Sequence, residues 1–210
     1  MRIEIWSDFA CPYCYIGKKR LEKALEELKK EEETKIVFKS FQLDPSGVRM
    51  ELSDYSEYMA KKYNIPYDQA KAQVDGMVNS AKELGLDFRY DILIKNNMVL
   101  AHQIAKYAKT VGKDKVIVER FFKGYFEEGA DLGDIQVLST MSKEVGLDPQ
   151  NFKKIIEQKL YLSEVLADQK QASDMGVRGV PFIVIDGKVS VSGAQSIEYF
   201  KLALEKASEV

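Results

Sequence analysis

Trp6-Ser7-Asp8-Phe9-Ala10-Cys11-Pro12-Tyr13-Cys14-Tyr15-Ile16-Gly17 holds both cysteines of the 210-residue chain, separated by two residues. An apolar run, Ile3 to Trp6, leads into this stretch with the character of a strand. A helical pattern leads out of it. Leu21, Ala24, Leu25 and Leu28 recur on one face, with Lys, Arg and Glu on the other. Pro12 suits the first helical turn, where its missing N–H would lack an intrahelical partner. A Cys-x-x-Cys pair at a strand-to-helix junction is an arrangement that supports a reversible disulfide. At the helix start, unpaired N–H groups and the positive end of the dipole stabilise a thiolate at Cys11. Cys14 lies one turn deeper. Cys11 is therefore the expected nucleophile and Cys14 the resolving thiol. The plainer alternative is two inert, half-buried thiols, and the flanking strand and helix weigh against it. A structural zinc site needs four ligands, and two cysteines with one distant histidine cannot supply them, so no metal is expected. The dipeptide Pro12-Tyr13 lacks a histidine to support the thiolate. The disulfide is thus expected to be a milder oxidant than that of a Cys-Pro-His-Cys protein.

Working outward, residues 2–6 and 35–41 read as strands flanking a helix from about 12 to 32, a β-α-β opening. Asp44-Pro45-Ser46-Gly47 is a turn signature. From 51 to 162 the pattern is helical, with segments near 53–63, 66–85, 97–112, 113–128, 133–146 and 149–159. Asn97 and Asp148 are candidate N-caps. Residues 87–95 read as a connecting loop, in which Ile92-Leu93-Ile94 could be a short extended piece. A helix near 162–175 follows. Then Phe182 to Ile185 and Lys188 to Val191 flank Asp186-Gly187, a strong hairpin signal. A last helix spans about 196–207. The expected architecture is α/β: a thioredoxin fold formed by residues 1–50 and 163–210, interrupted by an all-helical insertion domain at 51–162.

Composition narrows the function classes. The net charge is −2 with both signs mixed along the chain, which argues against a nucleic-acid partner. Lys18-Lys19-Arg20 reads as a solvated helix face. No apolar run approaches the roughly 18 residues of a membrane helix. The start, Met1-Arg2-Ile3-Glu4, lacks signal-peptide character, so a cytoplasmic location is expected.

A second element is Gly176-Val177-Arg178-Gly179-Val180-Pro181-Phe182. Proline directly before an apolar strand is unusual in a sheet interior. In thioredoxin folds a cis proline at this place faces the cysteine pair, and the residue before it offers its backbone to an extended substrate. Val180 and Pro181 are accordingly candidate site residues. Phe9, Pro12 and Tyr13, with Tyr15, could rim the thiol, whereas Trp6 suits the core.

Cys11-Pro12-Tyr13-Cys14-Tyr15-Ile16-Gly17-Lys18-Lys19-Arg20-Leu21 resembles the FrnE-like branch of the DsbA-like thioredoxin superfamily. So do Asn97-x-x-x-Ala101-His102, the run Phe121 to Gly129, Gly179-Val180-Pro181-Phe182 and Ser192-Gly193-Ala194-Gln195. The resemblance implies dithiol–disulfide oxidoreductase activity on a disulfide-containing protein or small thiol, with Cys11, Cys14 and Pro181 as functional residues. Met98 departs from the Thr or Ser more usual after the Asn. The branch is similar to 2-hydroxychromene-2-carboxylate isomerases and kappa-class glutathione transferases. No cofactor is required for disulfide chemistry, but glutathione stays a candidate ligand, and a glutathione-dependent isomerase or transferase is the alternative function. Asn97 and His102 are candidate substrate contacts of the insertion. The plainer reading of His102 is a solvent-touched helix residue. The insertion also offers a surface through which two copies could form a homodimer.

Overall fold

The structure, a computed structural model, describes residues 1–209. Strand β1 (Arg2–Ser7) is followed by helix α1 (Pro12–Glu27) and strand β2 (Lys35–Ser40). Near the C-terminus come helix α8 (Leu162–Asp174), the hairpin of β5 (Phe182–Ile185) and β6 (Val189–Ser192), and helix α9 (Ile197–Glu209). The four strands form one sheet in the order β2-β1-β5-β6. β1 runs parallel to β2, with Ile5 opposite Phe38, and antiparallel to β5, with Ile5 opposite Ile183. This is the thioredoxin architecture.

Period-two alternation along β1 assigns its residues to two faces. Ile3 and Ile5 join Leu21, Leu25, Ile183, Phe200 and Leu204 in the core between the sheet, α1 and α9. Trp6, on the opposite face, is fully buried and donates its indole N–H to the Asp168 carbonyl of α8 at 2.9 Å. The Asp168 carboxylate accepts the Ser40 N–H at 2.8 Å and pairs with Lys39 at 3.1 Å, tying α8 to β2. α1 is shorter than its charge pattern suggests. Lys29 adopts a left-handed conformation (φ 56°). The Lys29 N–H then bonds to Glu26 and the Lys30 N–H to Leu25, which closes the helix and makes the following charged run a turn. At the hairpin, Asp186 and Gly187 both have positive φ (50° and 69°), which matches the twist of the flanking strands.

The chain divides into two compact units: Met1–Leu43 with Leu162 onward, and Asp44–Tyr161. The first break falls at 43/44 rather than 50/51 because residues 44–51 are anchored within the helical unit. Asp44 pairs with Lys95 at 2.8 Å, and Arg49 with Asp131 at 2.8 Å. The helical unit contains α2 (Tyr55–Tyr63), α3 (Tyr67–Lys82), α4 (Val99–Thr110), α5 (Asp114–Glu127), α6 (Ile135–Glu144) and α7 (Phe152–Glu157). It also holds a two-residue pairing of β3 (Met50–Glu51) with β4 (Ile94–Lys95), where the sequence reading placed no convincing strand. Its centre is aromatic: Phe88 stacks on Phe126 at 4.6 Å, and Tyr125 meets Phe126 edge-on at 4.9 Å. The Phe-Phe-Lys-Gly-Tyr-Phe run at 121–126 is therefore core, with all four aromatic residues buried.

Candidate active site

β1 ends at Ser7, and three residues carry the chain to the cysteines. Asp8 shapes this link. Its carboxylate accepts the Ala10 N–H at 3.1 Å and the Leu43 N–H at 2.7 Å, and its carbonyl accepts the Cys11 N–H at 3.1 Å. Cys11 is the N-cap of α1, with extended backbone (φ −94°, ψ 112°), and Pro12 takes the first helical position. No side chain caps this end and no acidic residue lies in the first turn, so its N–H groups remain available to an anion at Cys11. Cys14 follows one turn in, its N–H bonded to the Cys11 carbonyl at 3.0 Å.

Both cysteines are free thiols. Cys11 retains 5% of its surface and Cys14 none, so an incoming sulfur can meet only Cys11. Burial pushes the Cys14 thiol well up from its ordinary pKa. Its hydrogen bond with Cys11 and the charge there push it the same way. The Cys11 Sγ lies 3.5 Å from the Val180 carbonyl, 169 residues away in sequence. The Val180–Pro181 peptide is cis. The Pro181 carbonyl accepts the Gly193 N–H at 2.8 Å, which fixes this loop to the start of the 193–195 turn.

α1 presses on the same two loops. A Cβ at Gly17 would stand 3.1 Å from the Pro181 ring and 3.4 Å from the Ala194 backbone. One turn on, Arg20 donates to the Ala194 carbonyl at 2.7 Å. Lys18-Lys19-Arg20 is thus not simply a solvated face, since Lys18 is buried with its ammonium on Glu22 at 2.7 Å.

The structure brings Cys11, Cys14, Val180 and Pro181 together in the sheet unit. Of the expected rim, Tyr13 is exposed, whereas Phe9, Pro12 and Tyr15 are buried. Asn97 and His102 belong to the helical unit. Asn97 fastens local chain there: its amide donates to the Gly47 carbonyl at 3.1 Å and its oxygen accepts the Val99 N–H at 3.3 Å. Met98, not Asn97, takes the N-cap backbone position of α4. His102 is buried rather than solvent-touched. Asp8, Gly17 and Arg20 were missed in the sequence. Asp8 carried a signal, an Asx-type residue at a strand exit. Gly17 carried another, a glycine inside a helical pattern.

Residues 2–205 match the model of the DSBA-like thioredoxin domain. The chain belongs to this family. It is 33% identical to a protein described as a probable DsbA oxidoreductase from Streptomyces coelicolor, and superimposes on it with a TM-score of 0.92 over 100% of this chain and 90% of that one. It is 26% identical to the uncharacterised protein YwbO of Bacillus subtilis over 97% of this chain and 96% of that protein. A 2-hydroxychromene-2-carboxylate isomerase shares the fold, with a TM-score of 0.72 at 14% identity over 100% of this chain and 97% of that one. The chain is thus a member of the DsbA-like thiol oxidoreductases.

Proposed function

We propose that the protein catalyses thiol–disulfide exchange through the Cys11–Cys14 pair. The observation that carries this reading is the Cys11 Sγ, at an uncapped helix N-terminus and 3.5 Å from the Val180 carbonyl, with 5% of the residue's surface still open and a fully buried second thiol beside it. The Cys11 thiolate attacks one sulfur of a substrate disulfide R–S–S–R′. A Cys11–S–S–R bond forms and R′–S⁻ departs to take up a proton. Cys14 then attacks the Cys11 sulfur, losing its own proton, and R–S⁻ leaves as the second thiol. The substrate gains two electrons and the protein becomes a disulfide. A dithiol or low-molecular-weight thiol reductant closes the cycle, and the same steps in reverse oxidise a substrate.

Burial of Cys14 favours its neutral form, so it is poor at attacking external disulfides and serves the intramolecular step. Val180 supplies backbone to align the substrate. Two cysteines are too few for a disulfide-built extracellular scaffold, which supports a reducing compartment in which the pair rests reduced and the protein acts as a reductase or isomerase. No cofactor enters these steps, and glutathione would act as reductant or substrate. The complete cysteine pair favours this reading over a glutathione-dependent isomerase.

Trapping tests it. Cys14→Ala should accumulate a mixed disulfide on Cys11, visible as a mass shift removed by dithiothreitol, and Cys11→Ser should abolish insulin reduction. Retention of insulin reduction by Cys11→Ser would overturn the mechanism.

A further inference from the structure

Beside the thiol, residues 176–182 and 192–193 line a groove of about 420 Å³. Its lining includes three glycines and the apolar residues Val177, Val180, Pro181 and Phe182. Arg178 is the only ionisable residue that lines it. The chain has six arginines. Five of them are engaged: Arg2 with Glu4, Arg20 with the Ala194 carbonyl, Arg49 with Asp131, Arg89 with Asp91, and Arg120 with Glu144. Among the described residues, no hydrogen bond or ion pair holds the Arg178 guanidinium. The acidic residue nearest in sequence, Asp174, is bound at 2.7 Å by Lys170. The groove therefore carries one uncompensated positive charge, two residues from the Val180 carbonyl that touches Cys11 Sγ.

We propose that Arg178 selects substrates: the protein acts on low-molecular-weight disulfides that bear a carboxylate a few bonds from sulfur. This rests on the exchange mechanism above and names its substrate class. Gly179 and Val180 form a bend, so the two residues separating Arg178 from the Val180 carbonyl span at most about 7 Å. With Cys11 bonded to one substrate sulfur, a carboxylate two or three carbons away falls within the sweep of an arginine side chain at that distance. A guanidinium is suited to the task, because its planar fork matches a carboxylate with two parallel hydrogen bonds. The groove size, in the range of small-molecule sites, favours a compact ligand over a folded surface.

The test compares variants on one substrate at a time, so that leaving-group acidity cancels. Second-order rates of reduction are measured with three small disulfides, 3,3′-dithiodipropionate (anionic), 2-hydroxyethyl disulfide (neutral) and cystamine (cationic), and with an acidic cystine peptide. Arg178→Gln should slow the anionic disulfide about two- to five-fold, the scale of an exposed ion pair. It should leave the neutral one unchanged. Arg178→Glu should slow the anionic disulfide further and accelerate cystamine. The wild-type advantage for the anion should shrink in 0.5 M NaCl. An equal change with all three disulfides, or no change, overturns the proposal, the first because it would mean Arg178 acts on the Cys11 thiolate itself. A loss confined to an acidic cystine peptide, sparing dithiodipropionate, overturns the small-molecule assignment. If wild-type protein reduces none of the three and no peptide either, the exchange mechanism has failed instead.

Discussion

Gly17→Ala adds one methyl group between α1 and the two loops that complete the site. At most helix interiors this change is favourable, since alanine exceeds glycine in helix propensity by about 1 kcal/mol. Here the new Cβ would lie 3.1 Å from Pro181 Cγ and 3.4 Å from both Cα and Cβ of Ala194. These neighbours are a rigid ring and a backbone, so relief must come from moving the loop by a few tenths of an ångström. Overpacking of this kind costs about 1–3 kcal/mol. The net expectation is a destabilisation of about 1 kcal/mol, or about 2–4 °C in a chain of this size. Gly76→Ala on α3 is the control, since a Cβ there meets nothing within 4 Å. It should stabilise by about 0.5–1 kcal/mol. Thermal melts followed by fluorescence of Trp6, the only tryptophan, report the sheet unit, and far-UV circular dichroism reports the helices of both units together. Disulfide reduction should slow in Gly17→Ala, because Pro181 shifts against Cys11, and hold in Gly76→Ala. A Gly17→Ala protein that melts higher and reduces disulfides at the wild-type rate would refute the claim that this close approach positions the site.

Two further outcomes follow from other contacts. Asp168→Ala should cost about 1–3 kcal/mol in denaturant unfolding followed by Trp6 fluorescence, because it strands the buried Ser40 N–H; a loss under about 0.5 kcal/mol would show that water replaces the carboxylate. Hydrogen bonding to Lys95 holds the Asp44 carboxyl below its ordinary range. A carboxyl depressed on folding contributes stability above its unfolded pKa of about 3.9 and loses it as pH falls through the folded value. The difference between wild type and Asp44→Asn should therefore be present at neutral pH and vanish in acid below the depressed pKa. With the Asp44 side chain 39% exposed, its size at neutral pH should stay under about 1 kcal/mol.

The fold was legible because its signals are local. The strand Ile3–Trp6 feeding a proline-started helix, and Asp186-Gly187 between apolar runs, each specify their element within a few residues. The placement of the cysteine pair at a strand-to-helix junction was legible for the same reason. Other features were decided at a distance. Two-residue strands such as β3 and β4 are too short to show alternation, and their pairing comes from the chain folding back at Leu93 to meet Leu52. Lys18 reads as surface by type, yet α1 needs its stem as packing and Glu22 supplies the charge partner. Phe9 and Pro12 stand next to a reactive thiol in sequence and still face inward, since a loop held by Asp8 has its own inner side. In sequence, Arg178 is one of six arginines with nothing to set it apart. Its distinction appears only when the partners of the other five arginines are known.

The interrupted sheet unit has a consequence for how the protein is born. β1 and β2 leave the ribosome first, but β1 meets its other neighbour, β5, only when Ile185 arrives opposite Ile3. At about 5–20 residues per second, the intervening stretch takes roughly ten to thirty seconds to make. During that interval β1 presents an unpaired edge, and the Cys11 thiol exists without the Val180 carbonyl that later stands beside it. The helical unit, whose chain is continuous from Asp44 to Tyr161, can finish folding in the same time. The cysteine pair is thus among the earliest parts synthesised, and the Val180 carbonyl that stands beside it among the latest.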